Sequence, residues 1–268
     1  MSLQYSTPTM NSQTQGPTEA ARHRNRFLSN LSQSDMAILT PFLLDRPLRP
    51  GECLHKPGQL IEWVIFPHSG IISLTVPSIK GISVETGMIG REGIASGGVG
   101  FGIPHSLCTA VVQLPGSASA ISARHYQQAM SNSSEMREQA ARCAAVLLLQ
   151  AQQSAACNAL HDVEQRLARW LLEIHDRAAG ENFPLTQICL AEMLGVQRTT
   201  VTLVAGKLQK IGAIRNHRGH VEIADRALLQ TAACECYQRV RACSAQLFGA
   251  EDSTSGRTQP GQQKGMLA

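Results

Sequence analysis

The chain has 268 residues, 43% of them hydrophobic, enough for packed cores in about two domains. Its net charge is only +4, so the total charge does not argue for a nucleic-acid partner. No window approaches eighteen consecutive apolar residues, and the N-terminus lacks the charged and apolar blocks of a secretory signal, so a cytoplasmic protein without a membrane partner is expected.

Residues 1–24 are rich in Ser, Thr, Gln and Pro and predict an unstructured tail, as do residues 249–268. Residues 25–123 follow as a β-rich domain. Glycines at 51, 58, 70, 81, 87, 90 and 93 punctuate short apolar runs such as Glu62 to Phe66, Ile71 to Val76 and Ala110 to Leu114. Regular turns between short strands argue for a small β-roll. Gly97, Gly98, Gly100 and Gly102 form a glycine-dense loop, but no phosphate-binding GxxxxGK[ST] motif accompanies it.

Residues 124–160 lack proline and glycine, which predicts a long helix with an interruption near Ser131 to Ser134. Met136, Ala140, Cys143, Leu147, Gln150 and Ser154 recur at alternating fours and threes, the spacing of a coiled-coil seam. Burial within one protomer is the alternative. Dimerisation is favoured because a helix spanning two domains has little of its own chain to cover it.

Residues 161–248 carry the strongest signal. Thr186 can cap a helix through Ile188, Leu190, Ala191 and Leu194, Gly195 suits the turn, and a second helix from about Gln197 to Lys210 buries Val201, Val204, Ala205 and Leu208. A helix, a glycine turn and a helix make the helix-turn-helix pattern. Gly206 lies inside the second helix at a cost of about 1 kcal/mol against alanine, so either packing compensates or a backbone must approach there. From Gln197 to Val221 there are five basic residues, Arg198, Lys207, Lys210, Arg215 and Arg218, and no acidic one. Arg218-Gly219 reads as the tip of a hairpin that follows.

The eight cysteines contain no CxxC pair and read mostly as small core residues. Cys234-Glu-Cys236 with Cys243 is the one cluster able to bind metal or respond to oxidation. A CxC on a helix would point its thiols apart, and no metal ligand set is expected.

Together these elements resemble the Crp/Fnr family of bacterial transcription regulators over about residues 27–245. The likeness is most specific in LAEMLGVQRTTVTLVAGKLQKIGAI and next in PGECLHKPGQLIEWVIFPHSGIISL. It implies an α+β fold: an N-terminal β-roll sensor, a dimerisation helix and a C-terminal winged helix-turn-helix. It also implies a homodimer on double-stranded DNA with a palindromic operator. Arg198 and Thr199 would read base edges, with Thr202 and Leu203 on the same groove-facing side; Leu203 replaces the family's common arginine. Thr186, Gln197, Thr200, Lys207, Arg215, His217 and Arg218 would hold phosphates. Relatives that bind cyclic nucleotide carry a Gly-Glu pair and an Arg-Ser/Thr-Ala step. Here Arg91, Glu92 and Gly93 match in part, and Cys108 and Thr109 put a cysteine in place of the arginine, so the effector site is degenerate. Without that arginine cyclic AMP is not expected, and an iron–sulfur cluster is not expected because residues 1–52 contain no cysteine. RNA polymerase and an unidentified small-molecule effector stand as further candidate partners. No enzymatic activity is expected. The alternatives are a β-roll metal protein or enzyme using His55, His68 and His105, or a regulator acting by protein contact alone.

Overall fold

The computed structural model describes residues 16–22, 24–79, 83–178 and 180–248. Three short helices, α1 (Glu19–Arg22), α2 (Arg26–Ser29) and α3 (Gln33–Leu39), precede seven strands: β1 (Leu44–Leu48), β2 (Cys53–His55), β3 (Trp63–Pro67), β4 (Ile71–Pro77), β5 (Ser83–Ile89), β6 (Thr109–Leu114) and β7 (Gly116–Ser122). The strands form antiparallel sheets ordered β1-β7-β3 and β2-β6-β4-β5. Alternating inward residues, among them Ile65, Ile72, Ala110, Val112, Ala118 and Ala120, fill the space between them. The expected runs at 62–66, 71–76 and 110–114 correspond to β3, β4 and β6 within one residue. The expected unstructured tail 1–24 includes α1, whereas residues 1–15 and the tail 249–268 lie outside the described residues.

Then come α4 (Ala123–Asn132), α5 (Ser134–Leu160) and α6 (Val163–Arg177). The helix breaks at Ser133, inside the segment where the sequence placed the interruption. The Ser133 hydroxyl accepts from Met136 N at 3.0 Å to cap α5 and donates to Asp35 of α3 at 2.7 Å. Tyr126, Ala129 and Met130 sink α4 into the roll core beside Phe27 and Phe66, so the connecting helix proper is α5. The glycine-dense loop at 97–101 is a 3-10 turn pressed against α4. A Cβ at Gly100 would stand 2.8 Å from the Tyr126 ring, so close packing accounts for that glycine.

The expected seam on α5 is corrected. Met136, Ala140, Cys143, Gln150 and Ser154 are buried against the chain's own body, and Leu147 packs on the inter-sheet core. Gln150 anchors this face: its Oε1 accepts from Met88 N at 2.9 Å and its Nε2 donates to Met88 O at 3.2 Å. Ala141, Ala145, Leu148, Gln152, Ala155 and Ala159 face solvent instead, at spacings of four and three, with Leu148 60% exposed.

The last part comprises β8 (Asn182–Phe183), α7 (Gln187–Leu194), α8 (Arg198–Lys210), β9 (Ile214–His217), β10 (His220–Ile223), α9 (Arg226–Ala232) and α10 (Cys236–Phe248). Its core continues into the roll through Ile71, Met88 and Leu114, which share one cluster with Trp170, Leu190 and Val204. Trp170 Nε1 of α6 donates to Glu85 Oε1 of β5 at 2.6 Å, and Arg177 Nε donates to Glu92 Oε1 at 2.6 Å. Among the described residues no single helix is long and apolar enough to cross a membrane.

Candidate nucleic-acid interface

The recognition elements follow from local chemistry. The Thr186 hydroxyl accepts from Cys189 N and opens α7, and Gly195, at φ 64°, closes it in the left-handed region where glycine carries no Cβ strain. Arg166 of α6 reaches the same end and donates to Leu194 O at 2.5 Å. The axes of α7 and α8 meet at 104°, within the helix-turn-helix range of about 90–120°. Val201, Val204, Ala205 and Leu208 are buried as expected. Ile188 is not part of the buried stripe; it is 51% exposed, and Met193 takes the inward place, because positions 188 and 190 lie on different faces of a helix.

An open notch lies between α8 and the hairpin β9–β10. Arg198, Thr202, Gly206 and Gln209 form one ladder of it on α8, and Asn216 and Arg218 face them from the hairpin. Arg218 (φ 38°) and Gly219 (φ 86°) make the two-residue tip with both residues at positive φ, as hairpins of this length prefer. β8 joins this hairpin as a third strand, order β8-β10-β9, which the sequence reading did not include.

Gln187 is the residue that sequence reasoning missed. Its Oε1 accepts from Thr202 Oγ1 at 2.9 Å and from Arg198 Nε at 3.4 Å, fixing both side chains from the neighbouring helix. The signal was its place directly after the Thr186 cap, which turns it across the helix pair. Thr199 and Leu203 are exposed on the other flank of α8, Leu203 by 64%, and Thr200 is half-buried. Gln197 precedes α8 without a side-chain capping bond, leaving the first amides of that helix available to an oxygen from outside. Nothing lies within 4 Å of a Cβ built at Gly206, so packing within the chain does not explain this glycine.

The charges are less uniform than the run from 197 to 221 suggests. Arg215 pairs with Glu222 across the hairpin at 2.5 Å, and Lys207 pairs with Glu164 of α6 at 3.0 Å, a contact that raises the pKa of its ammonium. Arg198, Lys210 and Arg218 have no carboxylate partner among the described residues, and His217 stands exposed beside the tip.

The candidate effector residues are spread over the roll. Glu92 is engaged by Arg177 and by Gly90 N, Arg91 is exposed, and Gly93 O accepts from Asn25 Nδ2 at 3.0 Å. Cys108 accepts at its carbonyl from Ser106 Oγ at 2.7 Å, and Thr109 stands opposite Thr75 in β4. The three histidines do not converge. His55 Nδ1 meets Ser106 Oγ at 2.7 Å, His68 Nε2 meets Ser119 Oγ at 2.8 Å in the other sheet, and His105 bridges to Leu60. Burial lowers the pKa of both His55 and His68.

Residues 165–232 match the Crp-like helix-turn-helix domain. Comparison with curated protein sequences finds no match. Among solved structures the chain is similar to FixK2 from Bradyrhizobium japonicum, with a TM-score of 0.60 and 16% identity over 72% of this chain and 98% of that one. It is similar to a Crp/Fnr-family regulator from Eubacterium rectale, with 0.61 and 17% over 79% and 96%. It is also similar to the c-di-GMP-responsive global regulator CLP of Xanthomonas campestris, with 0.59 and 16% over 72% and 100%. In fold the chain is similar to regulators of the Crp/Fnr type over most of its length, and residues 165–232 match the Crp-like helix-turn-helix domain.

Proposed function

We propose that the protein is a sequence-specific transcription regulator that grips a two-fold symmetric DNA site as a homodimer. The observation that carries this reading is the open notch of α8 and the hairpin, whose lining includes Arg198 and Arg218 and no carboxylate. Arg198, held by Gln187, is the residue to fork onto guanine O6 and N7, and Thr199 and Thr202 reach neighbouring edges. Leu203 offers an apolar contact suited to a thymine methyl rather than a hydrogen bond. Gln197, Thr200 and Arg218 contribute phosphate contacts, which set register without reading sequence.

The homodimer forms along the solvent face of α5. Ala141, Ala145, Leu148, Gln152, Ala155 and Ala159 supply a heptad-spaced stripe of mostly small side chains, over a helix about 40 Å long. Two copies joined there present two recognition helices to one duplex. Cyclic AMP is not the effector in this reading. Cys108 offers no cation to a cyclic phosphate, and the Glu92 carboxylate already serves Arg177.

Selection of bound duplexes from a random pool by the full chain, read by sequencing, tests the proposal. The expected result is one enriched motif with two-fold symmetry. Recovery of random fragments without a motif would favour a regulator acting by protein contact alone.

A further inference from the structure

At the corner where α5 ends and α10 begins, four metal-ligating side chains converge. The Cys157 and Cys234 sulfurs are 3.5 Å apart, Cys236 Sγ is 3.5 Å from His161 Nδ1, and all four donor atoms lie within 4.8 Å of one another. Cys234 precedes α10 instead of lying within a helix, so its thiol and that of Cys236 turn to the same side, contrary to the expectation for a helical CxC. Cys157 and His161 complete the set in place of Cys243; four residues apart, they stand one turn from each other at the end of α5.

We propose that Cys157, His161, Cys234 and Cys236 form a tetrahedral Cys3His site for a soft divalent cation of the zinc class. Bonds of about 2.3 Å to sulfur and about 2.0 Å to nitrogen place tetrahedral donors about 3.5 to 3.8 Å apart, so the two 3.5 Å spacings already match and the remaining ones, all within 4.8 Å, close by about 1 Å or less. A disulfide would bring two sulfurs to about 2.05 Å and leave the other two donors without a role. The three cysteines are a small buried cluster of their own, separate from the apolar cores.

The surroundings are those of a ligand shell. His161 Nε2 lies 3.2 Å from Glu235 Oε2, which directs Nδ1 toward the sulfurs in the carboxylate–histidine arrangement common at metal centres. Gln153 Nε2 donates to Cys236 Sγ at 3.0 Å. Three thiolates and an imidazole around a divalent cation carry a net charge of −1. Arg166 and Arg169 on α6 lie within electrostatic reach of Cys157 and Cys234, and the Nε of each is buried without a hydrogen-bond partner. The site closes a loop around the whole helix-turn-helix and fastens both its ends to the connecting helix.

Titration of the reduced, metal-stripped full chain with Co2+ and then Zn2+ tests the site. One Co2+ per chain is expected, with tetrahedral ligand-field bands and thiolate charge transfer that Zn2+ abolishes, and Zn2+ should raise the melting temperature. Cys236→Ser and His161→Gln should each weaken binding about tenfold or more. The latter changes a side chain at the helix end and is the variant that keeps the test valid where a buried serine disturbs folding. Cys243→Ser should bind as the parent does. A folded, reduced protein that gives no stoichiometric tetrahedral spectrum would overturn the proposal, as would an undiminished spectrum in both variants. A protein that yields only a Cys157–Cys234 disulfide on oxidation and no metal complex on reduction overturns it in favour of a redox pair.

Discussion

The sharpest test of how the roll and the reader are joined is Glu85→Gln. Glu85 sits on β5, 8% exposed, with Oε1 taken by Trp170 and Oε2 buried without a partner. Ser73 on β4, Arg169 and Glu173 on α6 and Cys189 on α7 are the other polar groups around it. Burial pushes its carboxyl up to about 7 from an ordinary 4.5, so the folded state favours the neutral acid. A folded pKa above the unfolded one gives stability that is complete below about pH 4.5 and drains away as pH rises through about 7. The rise from 4.5 to about 7 corresponds to on the order of 3 kcal/mol, most of which falls between about pH 5 and pH 8. The amide introduced by the substitution keeps an acceptor for Trp170 and does not titrate. Melting temperatures of the two proteins across this range should therefore diverge by about 5 to 10 °C at the conversion appropriate to this chain length. Trp170 fluorescence in a Trp63→Phe background reports the same contact locally. Parallel melting curves across the same pH range would refute a neutral Glu85.

Gly206→Ala should stabilise the free protein by about 1 kcal/mol, since the helix gains and no neighbour is within 4 Å, yet weaken operator binding if the duplex backbone occupies that space; melting and gel-shift titration separate the two effects. Arg198→Ala should cost about 1 to 3 kcal/mol on the selected operator and relax preference at one base pair, measured by competition with single-base variants. Arg218→Ala should weaken binding to all sequences and lower the salt slope by about one, while Arg215→Ala should do less because Glu222 already neutralises that guanidinium. Leu148→Glu should shift sedimentation from dimer to monomer with the protomer still folded. Gln150→Ala should instead lower the melting temperature, because it leaves both Met88 backbone groups unpaired.

The sequence made local structure legible where one residue type answers one local demand: the Thr186 cap, the left-handed Gly195, the Arg218-Gly219 tip, the serine break before α5 and the alternation in β3, β4 and β6. It did not reveal which side of α5 meets the roll. Alanines satisfy a heptad on either face, and the inward face includes Ser154 and Gln150, the latter buried through its bonds to β5 and not through its own polarity. Arg166, Arg169 and Glu173 of α6 are charged yet buried, because α7 and β5, distant in the chain, cover them. Similarly, Cys157 meets Cys234 across 77 positions, and a search confined to CxxC spacing passes over the Cys157 to His161 pair. Of the interface, Arg198, Thr202 and Arg218 were legible as types at helical and hairpin positions. The restraint by Gln187 and the neutralisation of Lys207 and Arg215 depended on the helix crossing and the hairpin register.

Gln150 gives the connecting helix a fixed fulcrum. β5 is the outer strand of its sheet, and the Gln150 amide takes the two backbone bonds that a further strand would take at Met88. Sliding α5 by one turn would break both bonds in a buried place, whereas tilting about that point keeps them. Any displacement of the helix about this point is therefore small at Gln150 and grows along α5 to its end at Leu160.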